Sequence, residues 1–303
     1  MIYFITVNYY STRLIEELLG SITAASDSQQ TYQVFVINNS PDDVSIQAIG
    51  SKFSHVTVME AGKNLGFGMA CNLGIQTVYD ADPQAVIWLI NPDATLDLGA
   101  ISEVQQCLNH DNSIAILGTR IRDTQGNIWF DRGTFDPWVG SLKHTDQSQF
   151  NEPQLSLDSL STSQGKTIAC RWVSGCSFII NLAAFNHCPS FDPHYFLYYE
   201  DSDFCERYYQ QGYRIAVTDA VLVTHAVSAI TQRNQRQKFR YATFSKLYFL
   251  SQHGTSLAVL LNLIYLLFGA IVLLPSDRPS ALGKWQGWQT FVRWMLFKSQ
   301  ESR

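Results

Sequence analysis

Charge is scarce in this chain of 303 residues. Only 16% of its residues are charged, well under the globular norm of about 25%, while the hydrophobic share of 46% is ordinary. The shortfall is local. The last third holds a long run without a charge, and the first two thirds read as a normal soluble α/β protein. A basic surplus is missing too: the net charge of −5 speaks against a general nucleic-acid binder, whose phosphate contacts need a positive surface. The six cysteines, Cys71, Cys107, Cys170, Cys176, Cys188 and Cys205, include no C-x-x-C pair. That excludes a zinc ribbon and a thioredoxin-like motif, and it leaves reduced, partly buried thiols as the expectation. The opening MIYFITVNYY lacks the basic start and unbroken apolar stretch of a secretory signal, because Asn8 interrupts it, so the bulk of the chain is expected in the cytoplasm. No internal repeat is present. The length allows one large domain or two modest ones.

What is there alternates. Residues 2–7 form a short β-rich run ending at the polar NYYS, and TRLIEELLGSI follows with Leu14, Ile15, Leu18, Leu19 and Ile22 at helical spacing. YQVFVINNSPDD repeats the plan, with a buried strand over 34–37 and a turn-rich loop. HVTVMEAG reads as a third strand, GFGMACNLGIQTVY as a helix opened by glycines, and AVIWLINPDATL as a fourth strand ending in a loop. Such alternation predicts a mostly parallel sheet covered by helices on both faces. Ligands bind such sheets at the carboxyl ends of the strands, where NYYS, INNSPDD and NPDA all fall. From about Ser113 the pattern loosens: DTQGNIWFDRGTFDPWVG reads as a hairpin or irregular segment, and 144–166 as a polar surface loop or lid. IACRWVSGCSFIINLAAF then restores order as a strand followed by a helix start.

Several loops carry chemistry-bearing residues. In INPDAT, Asp93 arrives at a sheet edge, where a carboxylate can hold a hard divalent cation or simply shape a turn. Asn38 and Asn39 can bond a base or cap a turn. The glycines of GKNLGFGMACN sit at a helix start whose free N–H groups favour anions, or merely ease helix entry. His225 ends another β-rich run, RIAVTDAVLVTH, so it too can reach the sheet edge. Finally YYEDSDF runs Tyr198 and Tyr199 into Glu200, Asp201 and Asp203.

The stretch 254–276 carries no charge, and with about 20 apolar residues needed to cross a bilayer core its length just suffices. Trp285, Trp288, Trp294 and Phe297 interleave with Lys284, Arg293 and Lys298 downstream, a mixture suited to a membrane interface. The alternative is a buried helical hairpin, packed on the sheet or in a dimer interface. Between the two parts, Arg233, Arg236, Lys238, Arg240 and Lys246 form either a solvated helix face or a contact for anionic headgroups or a lipid-linked pyrophosphate.

Taken in order, ITVNYYS, VINNSPDD, NLGFGMACNLGI, WLINPDATL, RWVSGCSFIINLAAF, FDPHYFLYYEDSDFCERYYQQGYRI and THAVSA resemble the family 2 inverting glycosyltransferases of GT-A fold. The similarity points especially to the bacterial branch of rhamnosyltransferases and galactofuranosyltransferases, and it covers residues 2 to about 250. It implies an α/β GT-A fold over 1–230, with a nucleotide-binding half to about 112 and an acceptor half beyond. A helical, membrane-associating region would occupy 231–303, with its apolar segment at 254–275.

The resemblance also implies roles. Val7, Asn8 and Tyr9 would line the nucleotide pocket, and Asn38 would contact base or ribose. Asn64, Gly66, Phe67 and Asn72 would shape the donor site with Asn91 and Asp93. Trp172 and Gly175 would border sugar and acceptor. Asp93 and His225 would hold Mg2+ or Mn2+, and Asp201 would be the catalytic base with Glu200 beside it. The implied donor is a dTDP- or UDP-sugar, rhamnose favoured. The implied acceptor is a glycan on polyprenyl diphosphate at the cytoplasmic face of the plasma membrane, in surface polysaccharide synthesis, with oligomerisation left open. Tyr10 stands where relatives usually carry Asn, Asn38 where many carry Asp, and Asn181 where Arg or Lys is common, so the base stays open between uridine and thymidine. A sugar-nucleotide pyrophosphorylase would instead need a glycine-rich basic loop after the first strand, and NYYSTRLIEELL has no glycine there. A degenerate glycan-binding scaffold would have no use for Asp93, Asp201 and His225 together.

Overall fold

The structure, a computed structural model, describes residues 1–26, 31–145, 165–226 and 234–301. Most of the Ser- and Gln-rich stretch, Arg233 and the end of THAVSA lie outside the described residues. Strand and helix alternate first: β1 (Ile2–Asn8), α1 (Thr12–Ala25), β2 (Tyr32–Asn38), α2 (Gln47–Lys52), β3 (Val56–Glu60), α3 (Phe67–Ala81), β4 (Val86–Ile90), β5 (Ala94–Leu96) and α4 (Ala100–His110). There follow β6 (Ile114–Asp123), β7 (Ile128–Phe130), β8 (Gly133–Asp136), β9 (Ser141–His144), β10 (Thr167–Ala169), β11 (Ser177–Asn181), α5 (Glu200–Gln210) and β12 (Arg214–His225). The chain closes with α6 (Gln235–His253), α7 (Ser256–Leu273) and α8 (Arg278–Glu301).

Among the described residues ten strands make one sheet, in the order β10-β12-β6-β11-β4-β1-β2-β3, with β5 added to β12 and β7 to β6. The first four strands of this alternation, β3-β2-β1-β4, run parallel as expected. Beyond β4 the sheet is mixed, because β11 enters antiparallel between β4 and β6. The core follows from the pattern of side chains. α1 buries Ile15, Leu18, Leu19 and Ile22, spaced so that they share one stripe, while β1 and β4 are buried along nearly their whole length. Trp88 is fully buried in β4, and its indole N–H finds Ser177 Oγ at 3.0 Å.

Two elements differ from expectation. The fourth strand ends at Ile90 in the expected loop, where Pro92 offers no N–H for a ladder and Ala94 N–H closes a turn on Asn91 O at 3.1 Å, but an unexpected short strand follows that loop. β5 then pairs with β12, setting Ala94 opposite His225. Where the pattern loosened, the structure has the long central strand β6, with the unread helix α4 just before it. Strand β6 is buried on both sides over its first six residues and so shows no alternation to read.

The C-terminal helices pack against the segment that leads into α5. Leu247, Tyr248, Phe249 and Leu250 of α6, Leu266 of α7 and Phe291 of α8 share a second core with Tyr195. Burying each such side chain contributes about 1.5–3 kcal/mol. α7 itself buries only Ala258, Asn262, Leu266 and Ala270, one residue per turn, and leaves its other side chains half-buried or exposed.

Candidate active site

The carboxyl ends of β1, β2 and β3 carry a connected polar network. Asn8 donates to Asn38 Oδ1 at 3.1 Å and to Asp43 Oδ2 at 3.0 Å, and accepts from the Ser11 N–H at 3.0 Å. Asn38 in turn donates to both carboxylate oxygens of Glu60, at 3.1 and 3.0 Å. Burial works to raise the Asp43 carboxyl, but hydrogen bonds from Asn8, Ser45 and Thr12 hold it below its ordinary value. The side chain of Val7 lies in the core, while Tyr9 and Tyr10 are exposed, with Tyr10 in the left-handed region at φ 50°.

The donor-side loop is shaped by amides. Asn39 Nδ2 donates to Asn64 Oδ1 at 3.1 Å and its Oδ1 accepts from Leu65 N–H at 2.8 Å, while Asn64 also accepts from Gly66 N–H at 3.0 Å. Gly66 sits at φ 81°, where a Cβ would lie 2.1 Å from Phe196 O, so only glycine fits. The next residue, Phe67, donates its N–H to Phe196 O at 3.1 Å. The helix start is thereby tied to the segment that leads into α5. Asn72 serves the same junction, its amide closing on Phe191 N–H at 2.8 Å and Phe191 O at 2.9 Å.

The turn after β4 delivers Asp93. Because β5 sets Ala94 opposite His225 and Ala226 N–H donates to Asp93 O at 2.9 Å, the two side chains meet, with His225 Nε2 3.2 Å from Asp93 Oδ1. Both are nearly buried, and among the described residues His225 Nδ1 has no partner. A carboxylate and an imidazole with a spare nitrogen, both desolvated, form a donor set that fits a hard or borderline divalent cation with further positions left for diphosphate oxygens. Among the described residues no third His, Cys, Asp or Glu joins them. Trp129, which sequence reasoning passed over, lies edge-on to His225 at 4.6 Å between ring centroids.

One short segment links this pair to Asp201. Asn91 N–H donates to Cys176 O at 3.0 Å, and the Cys176 thiol is pushed well up, first by burial and then by the charge of Asp93. Its neighbour Gly175 donates its N–H to Asp201 Oδ2 at 2.9 Å, and a Cβ on Gly175 would touch both Asp201 and Phe67 at 3.4 Å. Asp93, His225, Gly175, Phe67 and Asp201 therefore surround one region at the end of β4.

Asp201 is positioned by strained backbone. Tyr198 and Tyr199 both hold positive φ, 69° and 68°, which for bulky residues persists only where the surroundings demand it. Asp201 Oδ1 also accepts from Ser202 N–H at 2.7 Å. Burial raises the Asp201 carboxyl, with the Gly175 and Ser202 hydrogen bonds opposing. Glu200 is buried with Oε2 unpartnered, and burial and then the charge of Asp201 push it up to about 8. Asp203 faces away from this chemistry: it accepts from Arg207 at 2.7 Å and Tyr195 at 3.2 Å, and His253 Nε2 of α6 lies 2.8 Å from it. Trp172 is buried, wedged against Gly133 with its N–H on Thr134 O at 3.2 Å, and the amide of Asn181 donates to Ile114 O at 3.0 Å.

Residues 1–243 match the family model described as glycosyltransferase like family 2. The chain belongs to this family. The N-acetylglucosaminyl-diphospho-decaprenol L-rhamnosyltransferase of Mycobacterium tuberculosis is 24% identical over 239 residues, covering 76% of this glycosyltransferase and 77% of the relative. TarS of S. aureus (residues 1–349) superposes with a TM-score of 0.53 at 14% identity over 91% of this chain and 75% of TarS. The mannosyltransferase PcManGT of Pyrobaculum calidifontis, solved with GDP-Man and Mn2+, gives 0.54 at 15% identity over 93% of this chain and 72% of its own. GalNAc-T7, solved with UDP, GalNAc and Mn2+, gives 0.60 at 13% identity over 99% of this chain and 57% of its own. The glycosyltransferase thus has the mixed, GT-A-type α/β fold of these neighbours.

Proposed function

We propose that this glycosyltransferase moves a sugar, rhamnose favoured, from a dTDP or UDP donor to a lipid-linked glycan with inversion. The observation that carries the reading is the Gly175 N–H bond to Asp201, because the same segment is fastened to the turn bearing Asp93. The acceptor hydroxyl attacks the anomeric carbon, the bond from that carbon to the diphosphate oxygen breaks, and the hydroxyl proton passes to the Asp201 carboxylate. The partly dry setting raises the proton affinity of Asp201 and so suits it to that work. Gly175 and Ser202 keep the carboxylate aimed. Asp93 and His225 would hold Mg2+ or Mn2+, and such a cation neutralises charge on the departing diphosphate.

Glu200 adds no second base at neutral pH, since burial keeps it protonated. Asn8, Tyr9 and Asn38 would frame the nucleoside end, with the Glu60 carboxylate beside them and Val7 supporting them from the core, and Asn64, Gly66 and Phe67 would frame the diphosphate. A 24% identical relative named for a decaprenol-linked substrate supports a lipid-borne acceptor, and the exposed apolar helix α7 supports work at the cytoplasmic face of the membrane in surface polysaccharide synthesis. Asp201→Asn tests the reading. Transfer should fall about 100-fold or more while thermal stabilisation by dTDP-rhamnose or UDP-galactofuranose with Mg2+ or Mn2+ persists. Unchanged turnover in that variant would remove Asp201 from the chemistry.

A further inference from the structure

Two ammonium groups in the C-terminal helices lack a counter-charge. Lys246 of α6 places Nζ 5.6 Å from the ring centroid of Tyr265, and a Cβ on Gly269 would lie 3.5 Å from Lys284 Nζ of α8. Tyr265 and Gly269 are one turn apart on α7, so the two cations meet neighbouring positions on one helix face. Both lysines are half-buried, and among the described residues neither forms an ion pair with a carboxylate. Lys246 is held below the ordinary lysine value, first by burial and then by the charge of Lys284. Residues 235–301 carry eight Lys or Arg against two Asp or Glu, in a chain whose net charge is −5. One of the two acids, Asp277, caps α8 through Ser280 N–H at 3.2 Å.

The surroundings say what kind of anion is wanted. α7 exposes Leu260, Ile264, Tyr265, Phe268, Ile271 and Val272, all more than half open. The lysines abut its middle, for Tyr265 is the tenth of its eighteen residues. Were α7 to span a bilayer, both ammoniums would lie near the hydrocarbon centre, at about 2.5–3.5 kcal/mol each on insertion scales. A helix lying along the interface places them instead at headgroup depth, with the apolar residues turned into the acyl boundary. We infer that Lys246 and Lys284 form a binding site for the phosphate or diphosphate of a lipid, with α7 lying in the membrane plane. The assignment of that lipid to the acceptor rests on the proposed function; the site itself does not.

Flotation of the full-length protein tests it, using vesicles of phosphatidylcholine alone, with phosphatidylglycerol, or with a few per cent polyprenyl diphosphate. Wild type should prefer the anionic vesicles. Lys246→Gln with Lys284→Gln should lose that preference by about 10–30-fold, keep its binding to neutral vesicles and keep its unfolding temperature, while the Arg pair retains the preference. A gain confined to polyprenyl diphosphate identifies the acceptor lipid as the ligand, and a gain confined to phosphatidylglycerol identifies the bulk headgroup. A Gln pair with the full anionic preference, a wild type with none, or a protein that ignores all three vesicles and dimerises through α7 would overturn the inference. Vesicle binding needs neither donor nor turnover, so Asp201→Asn should float like wild type, and the two readings fail in separate assays.

Discussion

Glu200→Gln isolates a buried acid from its neighbour Asp201. Glu200 is 6% exposed with one carboxyl oxygen unpartnered, and its proton affinity rises from 4.5 to about 8, by burial first and the Asp201 charge second. Since the folded value lies above the unfolded one, the contribution of neutral Glu200 is fully present below about pH 4.5. It is lost as pH rises towards 8, where the fold must accept a buried anion. At about 1.4 kcal/mol per tenfold change in proton affinity the whole displacement approaches 5 kcal/mol, and entry of water and side-chain relaxation bring it to a few kcal/mol. Glutamine has the same shape and never ionises. Wild type and variant should therefore unfold within a degree or two of each other at pH 5. By pH 9 the variant should unfold about 5–10 °C higher, at roughly 2–4 °C per kcal/mol for a chain of this size. Thermal unfolding at half-unit steps from pH 5 to 9, read as the difference between the two proteins, gives the answer. A difference that does not change with pH, or a wild type more stable at pH 9, would show that Glu200 is not a neutral buried acid.

Three further outcomes follow from particular contacts. Asp93→Ala and His225→Ala should each weaken metal-dependent donor binding by 10-fold or more while leaving metal-free nucleotide binding little changed; normal Mg2+ and Mn2+ titrations in both would remove the pair from the site. Gly66→Ala must place a methyl 2.1 Å from Phe196 O at φ 81°, so it should cost several kcal/mol and abolish donor stabilisation, and a variant with wild-type melting and activity would contradict the geometry. His253→Ala removes one partner of the fully buried Asp203, at about 1.5–3 kcal/mol, and should lower the melting temperature by about 4–8 °C in differential scanning calorimetry.

Local periodicity and motif order made the first half of the fold legible. The stripe of α1, the apolar run of β2 and the polar strand ends all stand where the residues imply. β6 was not readable, because a strand buried on both faces has no alternation, and its partners β11 and β12 come from far along the chain. At the site, Asp93, His225 and Asp201 were visible as residue types in a recurring order. The Gly175 N–H that fastens Asp201 was not, since a backbone donor leaves no mark in composition. Asp203 stood in the sequence only as one of the three acids of YYEDSDF. Its partners lie eight residues before it, four after it and fifty beyond, a combination only tertiary structure can assemble. Asn72 likewise reaches Phe191 across 119 residues.

The contacts of α6 constrain any attempt to rebuild this enzyme. Ser245 bonds Leu197 O at 3.0 Å, Tyr248 bonds Asp192 at 3.0 Å and His253 meets Asp203 at 2.8 Å, three stitches that flank the strained tyrosines on both sides. A chimera that borrows another protein's tail after β12 would unpick all three and leave Tyr198 and Tyr199 free to relax. Transplants should therefore be cut after His253, so that α6 travels with the turn that opens α5 and only the helices beyond it are exchanged.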